Sequence, residues 1–259
     1  MFKRIKAAIS GKVARDARYL ADSDPKKALA LLQTLAEAGD AEAMLDLAAS
    51  YHFGSVCSSS HKIPVNVAQA AFWYEKLKQK KNLLAYENLW NLYLQEGEMQ
   101  KAADALKAAA SVGIPASMHF LALCYLHGQV SLRQNFSEGL TWMRKAAKTG
   151  CFSSQTALAD IYREGKLVEQ DLVKAYMWYV IASAKEKSEN QASYIKNLQI
   201  FQNRPDSFIF YDSLKANEPS PGKAELARNE LACILSKDQI LKAQQMAETC
   251  VSVNYNGFD

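Results

Sequence analysis

One spacing of glycine and tyrosine recurs along the chain. A glycine is followed by a tyrosine and then by a second glycine, at Gly39-Tyr51-Gly54, Gly113-Tyr125-Gly128 and Gly150-Tyr162-Gly165. A unit of this size is too small to bury its own apolar face, so neighbouring copies must stack side by side. The sequence therefore predicts an array of stacked units with an open groove, and such a surface suits the binding of other chains.

A second set of landmarks follows each copy. An Asn or Asp and then a small residue precede a tryptophan at the same intervals, giving Asn66-Ala70-Trp73, Asn135-Gly139-Trp142 and Asp171-Ala175-Trp178. Small residues beside aromatic ones predict close packing of two helices. The interval from Gly139 to Gly150 recurs from Ala28 to Gly39 and from Ala102 to Gly113, which indicates about five units.

These residues resemble the Sel-one-like repeat family, a relative of the tetratricopeptide repeat. Lys174-Ala175 and Trp178-Tyr179 match its motif best, and the resemblance runs from about Ala14 to Ser183. It implies an all-α fold: a right-handed α-solenoid of two-helix repeats, a tetratricopeptide-like superhelix, with a helical C-terminal cap. One unit departs, because Tyr93 precedes Ala102 by the short interval that is typical of tetratricopeptide repeats.

Periodicity and glycines predict the helix boundaries. First helices should end at Gly54, Gly128 and Gly165, where a left-handed residue is needed. Second helices are expected over about Val67–Gln79, Glu138–Lys148 and Val173–Ala184. We divide the chain into an N-terminal basic helix or first repeat helix (1–24), the repeats (25–185), and C-terminal capping helices with a loop (186–259), in which Ser236 starts the last helix.

Composition and cysteine usage favour a soluble protein. Hydrophobic residues are 49% of the chain, and no run approaches the roughly twenty apolar residues of a membrane span. The beginning of the chain lacks an apolar run of signal-peptide length. The five cysteines are odd in number and form no Cys-x-x-Cys pair, which is typical of a reducing compartment, so we expect a cytoplasmic location.

Positive charge is concentrated in the first eighteen residues. Phe2, Ile5, Ile9 and Val13 lie on one helical face there, so this segment is either a weak amphipathic anchor for a membrane or an acidic partner, or simply a cap on the array. Basic residues elsewhere are diluted by acids, and no nucleic-acid binding is expected.

The sequence offers little for catalysis. The four histidines lack the helical spacing of a zinc hydrolase, and the glycines form no phosphate loop, so neither a metal nor a cofactor is predicted. Cys124 with His127 could be a nucleophile and its base, but side chains three apart on a helix meet by default. Asp160 with Glu164 could be paired carboxylates, but with Arg163 beside them a solvated or partner-facing charge pair is expected instead. Some cysteine-rich relatives of the family bind penicillin-like compounds, but this chain lacks their regular cysteine pairs, so we expect a protein that is not an enzyme.

The groove-facing positions of the first helices are the predicted binding site. They vary from copy to copy, with an apolar centre flanked by acids and asparagines that would suit an extended or helical peptide carrying basic residues. The residues are Glu42, Asp46, Leu84, Asn88, Asn91, Ala116, Phe120, Leu123, Ser153 and Asp160.

The tail after Lys185 leaves an alternative open for this groove. Phe208, Ile209, Phe210 and Tyr211 form an apolar cluster that either folds back on the array, and so fills the groove, or forms an exposed docking patch. The resemblance implies a non-catalytic adaptor that binds a protein or peptide partner. An immunity or inhibitor protein that neutralises one cognate effector is the alternative, and a lactam-binding hydrolase is a more distant one.

Overall fold

Helices dominate the part of the chain that the structure describes. The computed structural model describes residues 16–58, 62–186 and 222–253. The helices are α1 Pro25–Glu37, α2 Ala41–Phe53, α3 Val67–Gln79, α4 Leu83–Gln95, α5 Met99–Ser111, α6 Pro115–His127, α7 Phe136–Lys148, α8 Phe152–Glu164, α9 Leu172–Glu186, α10 Lys223–Ala232 and α11 Lys237–Ser252. Residues 16–20 are also helical, and Val56–Ser58 form a single 3₁₀ turn.

The chain divides into two units, residues 1–112 and 113–259. In the first unit each helix from α1 to α5 packs on the next, and in the second unit α6 to α9 do the same. Contact between successive helices is typical of a repeat array, in which each hairpin buries its apolar face against its neighbour. The predicted all-α repeat fold is confirmed, whereas the three-part division of the chain stays a prediction.

The glycines end the first helices as predicted. Gly54, Gly128 and Gly165 are left-handed, with φ of 67°, 67° and 69°. A side chain there would also meet the returning loop, since a Cβ on Gly165 would lie 2.8 Å from Cβ of Gln170. These positions therefore require glycine both for its backbone conformation and for its size.

The Asn and Asp of the repeat are the N-caps of the second helices. The side chains of Asn66, Asn135 and Asp171 accept hydrogen bonds from the backbone amide of the third residue of α3, α7 and α9, at 3.0, 3.1 and 2.9 Å. Their own backbone amides donate to the carbonyls of Tyr51, Tyr125 and Tyr162 at 2.9, 2.8 and 3.0 Å. The same hydrogen bond thus closes loops of different lengths.

Two glutamines reinforce this closure in the second unit. Gln134 and Gln170 each precede the N-cap, and their side-chain amides donate to the carbonyls of Leu126 and Arg163, both at 2.8 Å. The carbonyls belong to the last turns of α6 and α8, where backbone acceptors have no partner within the helix. The sequence analysis missed these glutamines, although their shared place before the N-cap is visible in the sequence.

The unit with the short connection is built as its spacing predicts. Only three residues separate α4 from α5, and the amide of Glu98 donates to the carbonyl of Tyr93 at 2.9 Å. Tyr93 therefore plays the part that Tyr51, Tyr125 and Tyr162 play in the longer connections.

A buried polar chain joins three helices of the first unit. Nε2 of His52 lies 3.0 Å from Oε1 of Gln95, and Nδ1 lies 3.3 Å from the hydroxyl of Tyr74. The amide oxygen can only accept, so Nε2–H donates to Gln95 and the Tyr74 hydroxyl donates to Nδ1. The ring thereby connects α2 with both α3 and α4.

The small residues before the tryptophans lie at close helix contacts. Ala70 and Ala175 are fully buried, and a Cβ on Gly139 would lie 2.6 Å from Cδ2 of Leu126 in α6. Trp73 and Trp178 are buried, and Trp142 is half-buried with Nζ of Lys145 lying 4.3 Å from its ring. The predicted interlocked packing is confirmed, and at Gly139 it leaves no room for a side chain.

The last two helices cover α9. Ala224, Ala227 and Leu231 of α10 are buried, as are Ala243 and Ala247 of α11. Both helices pack on α9, and Ser236 begins α11 with a capping box formed with Gln239, as its sequence predicts. The predicted fold class included this helical C-terminal cap and is confirmed.

Candidate functional site

The second unit contains a concavity of about 540 Å³, which we call the unit-2 concavity. It lies within the roughly 300–1,000 Å³ that is typical of binding pockets in proteins. Its apolar lining residues are Leu123, Leu126, Phe136, Met143, Ala157, Ile161 and Leu167. Its polar lining residues are His127, Gln134, Asp160, Arg163, Glu164, Lys166 and Lys223.

The floor of the unit-2 concavity is apolar because α6, α7 and α8 each turn part of their core face toward it. Leu123, Leu126 and Met143 are buried, whereas Ile161 is half-buried and Phe136 is exposed. A floor of this kind gains stability when an apolar side chain covers it, at about 25 cal/mol for each Å² removed from water.

Asp160 is the most heavily paired group of the unit-2 concavity. Its carboxylate accepts a hydrogen bond from the hydroxyl of Tyr179 and lies 3.3 Å from Nη2 of Arg163 and 3.9 Å from Nζ of Lys223. Burial, followed by the hydrogen bond to Asp160, raises the pKa of Tyr179, so the phenol stays protonated and continues to donate. Asp160 therefore links α8, α9 and α10.

The other rim charges are also paired. Lys166 lies 3.0 Å from the carboxylate of Glu164, and Nη1 of Arg163 lies 3.7 Å from the carboxylate of Glu230 in α10. The side chain of Lys166 is 77% exposed, whereas that of Asp160 is 21% exposed. The cationic ends thus reach further into solvent than the central carboxylate.

The predicted acidic positions of the first unit are paired within the chain as well. Nε of Arg18 lies 2.7 Å from Oδ2 of Asp46, and Nη2 of Arg18 lies 3.9 Å from Glu42. The hydrogen bond to Asp46 raises the pKa of Arg18. Arg18 comes from the segment 16–20, so these acids tie the beginning of the described chain to α2.

A smaller pocket of about 240 Å³ lies beside this pair, lined by Arg18, Asp46, Ala49, Ser50, Phe53, Ser55 and Cys57. Burial raises the pKa of the Cys57 thiol to about 11. The thiol is therefore protonated at neutral pH and is a poor nucleophile.

The structure brings two of the predicted site residues together, since Leu123 and Asp160 both line the unit-2 concavity. Phe120, Asn91 and Ser153 are buried instead, at 2%, 4% and 5% exposure, which does not fit a preformed contact surface at these positions. The sequence reasoning missed this burial because their helices are buried on more than one face, in α8 partly through polar residues.

The remaining predicted positions have different degrees of exposure. Leu84 is 51% exposed, and Asn88 and Ala116 are half-buried. The amide of Asn88 already donates to the carbonyl of Leu84 at 2.9 Å. Among the described residues Asn91 Oδ1 accepts no hydrogen bond.

Two segments considered in the sequence analysis lie outside the described residues. They are the alternative occupant of the groove, 203–222 apart from its last residue, and the N-terminal anchor segment Met1–Lys12.

The residues considered for catalysis do not form a reactive pair. Cys124 is fully buried, and burial raises the pKa of its thiol to about 12, while His127 is exposed at the end of α6. His119 is buried with Nδ1 lying 2.8 Å from Oγ of Ser154, and burial lowers its pKa to about 4. Within the described ranges no group of three His, Cys, Asp or Glu side chains could hold a metal.

One known protein family matches these repeats. The family model described as Sel1 repeat matches residues 19–40, 41–82, 115–151 and 153–186, which is more than half of the chain. The chain belongs to the Sel1 repeat family. The matches omit 83–114, which includes the short connection between α4 and α5, so this Sel1 repeat protein departs from its family where its spacing does.

Similar proteins carry the same repeat. A putative Sel1-like repeat-containing protein of Acanthamoeba polyphaga mimivirus is 30% identical over 108 residues, covering 42% of this chain and 20% of the relative. The chain thus spans about a fifth of that relative, whose activity and partners are not transferred.

Two solved structures share the fold. One is a protective antigen of uropathogenic Escherichia coli displaying an SLR fold, with a TM-score of 0.57 and 23% identity over 92% of this chain and 45% of that one. The other is a Sel1 repeat protein from Oxalobacter formigenes, with a TM-score of 0.51 and 22% identity over 83% and 82% of the two chains. At these identities the likeness shows the fold alone.

Among the described residues, no helix combines the length and the apolar character that crossing a bilayer requires.

Proposed function

We propose that this Sel1 repeat protein is a non-catalytic adaptor that binds a segment of a partner protein in the unit-2 concavity. The observation that carries the proposal is the apolar floor between α6, α7 and α8, open to solvent and bordered by charged side chains. Apolar pockets with a charged rim are typical of protein interfaces, in which a few buried anchors supply most of the affinity.

Three groups that could carry chemistry support the non-catalytic part of the proposal. The thiols of Cys57 and Cys124 are held protonated by burial, and Asp160 is engaged with Tyr179, Arg163 and Lys223. These groups favour binding over nucleophilic or acid–base catalysis.

The cysteines support a further part of the proposal. The five cysteines are odd in number and form no Cys-x-x-Cys pair, which is typical of proteins in a reducing compartment, so we propose that the protein works in the cytoplasm.

The test is site-specific photocrosslinking in the native host. A photoreactive phenylalanine replaces Ile161 or Leu167 in the concavity and, as the control, Thr141, which is exposed on α7 and is not a lining residue. We expect a crosslinked partner protein from the two concavity positions and none from position 141.

A second variant separates binding from folding. Ile161→Asp should abolish the crosslink from position 167 while the helical circular-dichroism signal is retained, and Thr141→Asp should leave the crosslink intact. A crosslink from 141 as strong as those from 161 and 167, or one unaffected by Ile161→Asp, would remove the concavity as the binding site. One tight partner would favour an inhibitor of a single effector, and several partners would favour a scaffold.

A further inference from the structure

A second, much smaller cavity lies in the second unit, among α7, α8, α9 and α11, and shares no lining residue with the unit-2 concavity. Its volume is about 20 Å³, which is room for one water-sized ligand. Its apolar walls are formed by Leu158, Met177, Trp178 and Met246. Its polar lining residues are Arg144, Tyr162 and Lys174, so the described lining includes two cations and no carboxylate.

Arg144 is the cation of this cavity without a counter-ion among the described residues. Its Nε is buried, and no acceptor in the described part of the chain receives the Nε–H hydrogen bond. Helix α7 supplies no carboxylate one turn away, since the residues three and four positions before and after Arg144 are Leu140, Thr141, Ala147 and Lys148. An arginine side chain stays protonated in proteins, so this positive charge persists.

The acids of α8 and of the α9 N-cap are paired with other cations. These ion pairs are Asp160 with Arg163 at 3.3 Å, Glu164 with Lys166 at 3.0 Å and Asp171 with Lys174 at 3.4 Å. The charge of Lys174 is thus compensated by Asp171, whereas that of Arg144 is not compensated by these acids. A buried donor without an acceptor destabilises a fold, and the penalty is larger when the donor is charged.

We infer that this cavity binds a small monovalent anion of the size of chloride. The anion accepts the Nε–H hydrogen bond of Arg144 and also supplies the negative charge, which a water molecule does not. Sulfate and phosphate, with four oxygens each, are too large for about 20 Å³. Because Met246 of α11 forms part of the wall, the bound anion stabilises the contact of the last helix with the repeats. The site is separate from the proposed partner-binding surface and does not depend on it.

Line broadening of the chloride NMR signal measures binding to the full-length protein. We expect excess broadening with the wild type, reversed by bromide, which is of similar size, and unaffected by sulfate at the same ionic strength. Arg144→Met keeps an unbranched side chain but removes the charge and the donor, so it should abolish the excess. Arg133→Met makes the same change at an exposed position and should leave the excess intact.

Thermal unfolding at constant ionic strength provides a second readout. Replacing gluconate by chloride should raise the melting temperature of the wild type along a saturable curve, because a ligand of the folded state stabilises it. The Arg144→Met protein should not respond to this replacement. In gluconate it should melt no lower than the wild type, since it lacks the uncompensated cation.

The opposite results would overturn the inference. Equal melting temperatures of the wild type in chloride and in gluconate would show that the cavity holds only water, and broadening that survives Arg144→Met would place the anion elsewhere. Wild-type crystals grown in bromide answer the same question if the variant does not fold. An anomalous peak within hydrogen-bonding distance of Nε of Arg144 is expected, and its absence would exclude the site.

Discussion

Gly139 sets the distance between α6 and α7. A Cβ at this position would lie 2.6 Å from Cδ2 and 2.7 Å from Cγ of Leu126, and 3.2 Å from the carbonyl oxygen of Ala122. Leu126 also lines the unit-2 concavity, so the close approach of these helices shapes the floor of the proposed site. The alanines at the equivalent positions, Ala70 and Ala175, are accommodated without exposure.

We therefore expect Gly139→Ala to lower the free energy of unfolding by about 1–3 kcal/mol, the usual cost of overpacking. Alanine has the higher helix propensity, so only the steric contact can produce a loss. Chemical denaturation monitored by circular dichroism measures it.

A double-mutant cycle assigns the loss to the contact. In a Leu126→Ala background the added methyl group has room, so Gly139→Ala should cost less there. Thr141→Ala, on the exposed side of the same helix, should change stability little. Equal effects of Gly139→Ala in both backgrounds would contradict the packing account.

His119 gives the protein a pH dependence that can be assigned to one residue. Burial lowers the pKa of the imidazole from 6.5 to about 4, so the unfolded chain takes up the proton first as the pH falls. The stability linked to this group is therefore complete above pH 6.5 and is lost between pH 6.5 and 4, at up to about 1.4 kcal/mol per pH unit.

His119→Gln should flatten the dependence of unfolding free energy on pH in this window, because glutamine does not titrate. Denaturation curves from pH 4 to 7 provide the measurement. His127→Gln, at an exposed position, is measured beside it as a matched substitution. A slope that survives His119→Gln would assign the acid sensitivity to other groups.

At the level of elements, Asx residues begin most of the helices. Their side chains accept a hydrogen bond from the first turn of α1, α2, α3, α4, α7 and α9, whereas α5, α6 and α8 lack such a cap. Helix initiation thus explains the Asn or Asp that stands seven residues before three of the four tryptophans.

Asn135→Ala should lower the free energy of unfolding by about 1 kcal/mol, which is typical of a lost N-cap. Asn135→Asp retains the acceptor and adds a charge that suits a helix N-terminus, so it should cost little or nothing. Thermal unfolding of the wild type and the two variants tests this order of stability. A loss as large for Asp as for Ala would show that the amide group has another role.

The helix boundaries were largely predictable from sequence, and the site was not. The second helix was expected over Val67–Gln79 and has those bounds, because its cap, its small residue and its tryptophan recur at fixed intervals. α7 begins two residues before the predicted Glu138, since Asn135 acts as its N-cap. Pairings such as Arg18 with Asp46 join residues far apart in sequence and depend on packing that no local spacing specifies.

For the molecule as a whole, the last helices close the second unit. α10 and α11 cover α9, and Lys223 and Glu230 of α10 reach Asp160 and Arg163 in α8. Arg228 donates to Oγ of Ser183 in α9 at 3.2 Å. Removing or displacing these helices would expose the apolar face of α9 to water.

Ala247→Asp should lower the free energy of unfolding by more than about 3 kcal/mol and reduce the soluble yield, because it buries an unpaired charge between α11 and α9. Gln244→Asp makes a similar change at an exposed position of α11 and should be tolerated. Size-exclusion chromatography and denaturation of the purified proteins report both effects. Full stability of the Ala247→Asp protein would show that α11 is dispensable.

The hydrogen bond from an N-cap amide to a tyrosine carbonyl joins the two helices of a repeat whatever the length of chain between them. Tyr51 bonds Asn66 across a long connection, while Tyr162 bonds Asp171 across a shorter one. Insertions and deletions in these connections can therefore accumulate during evolution while the hairpins keep their geometry, and an epitope inserted between Ser58 and Lys62, which leaves the Gly54 cap and the buried Val56 in place, should be carried by an undisturbed scaffold.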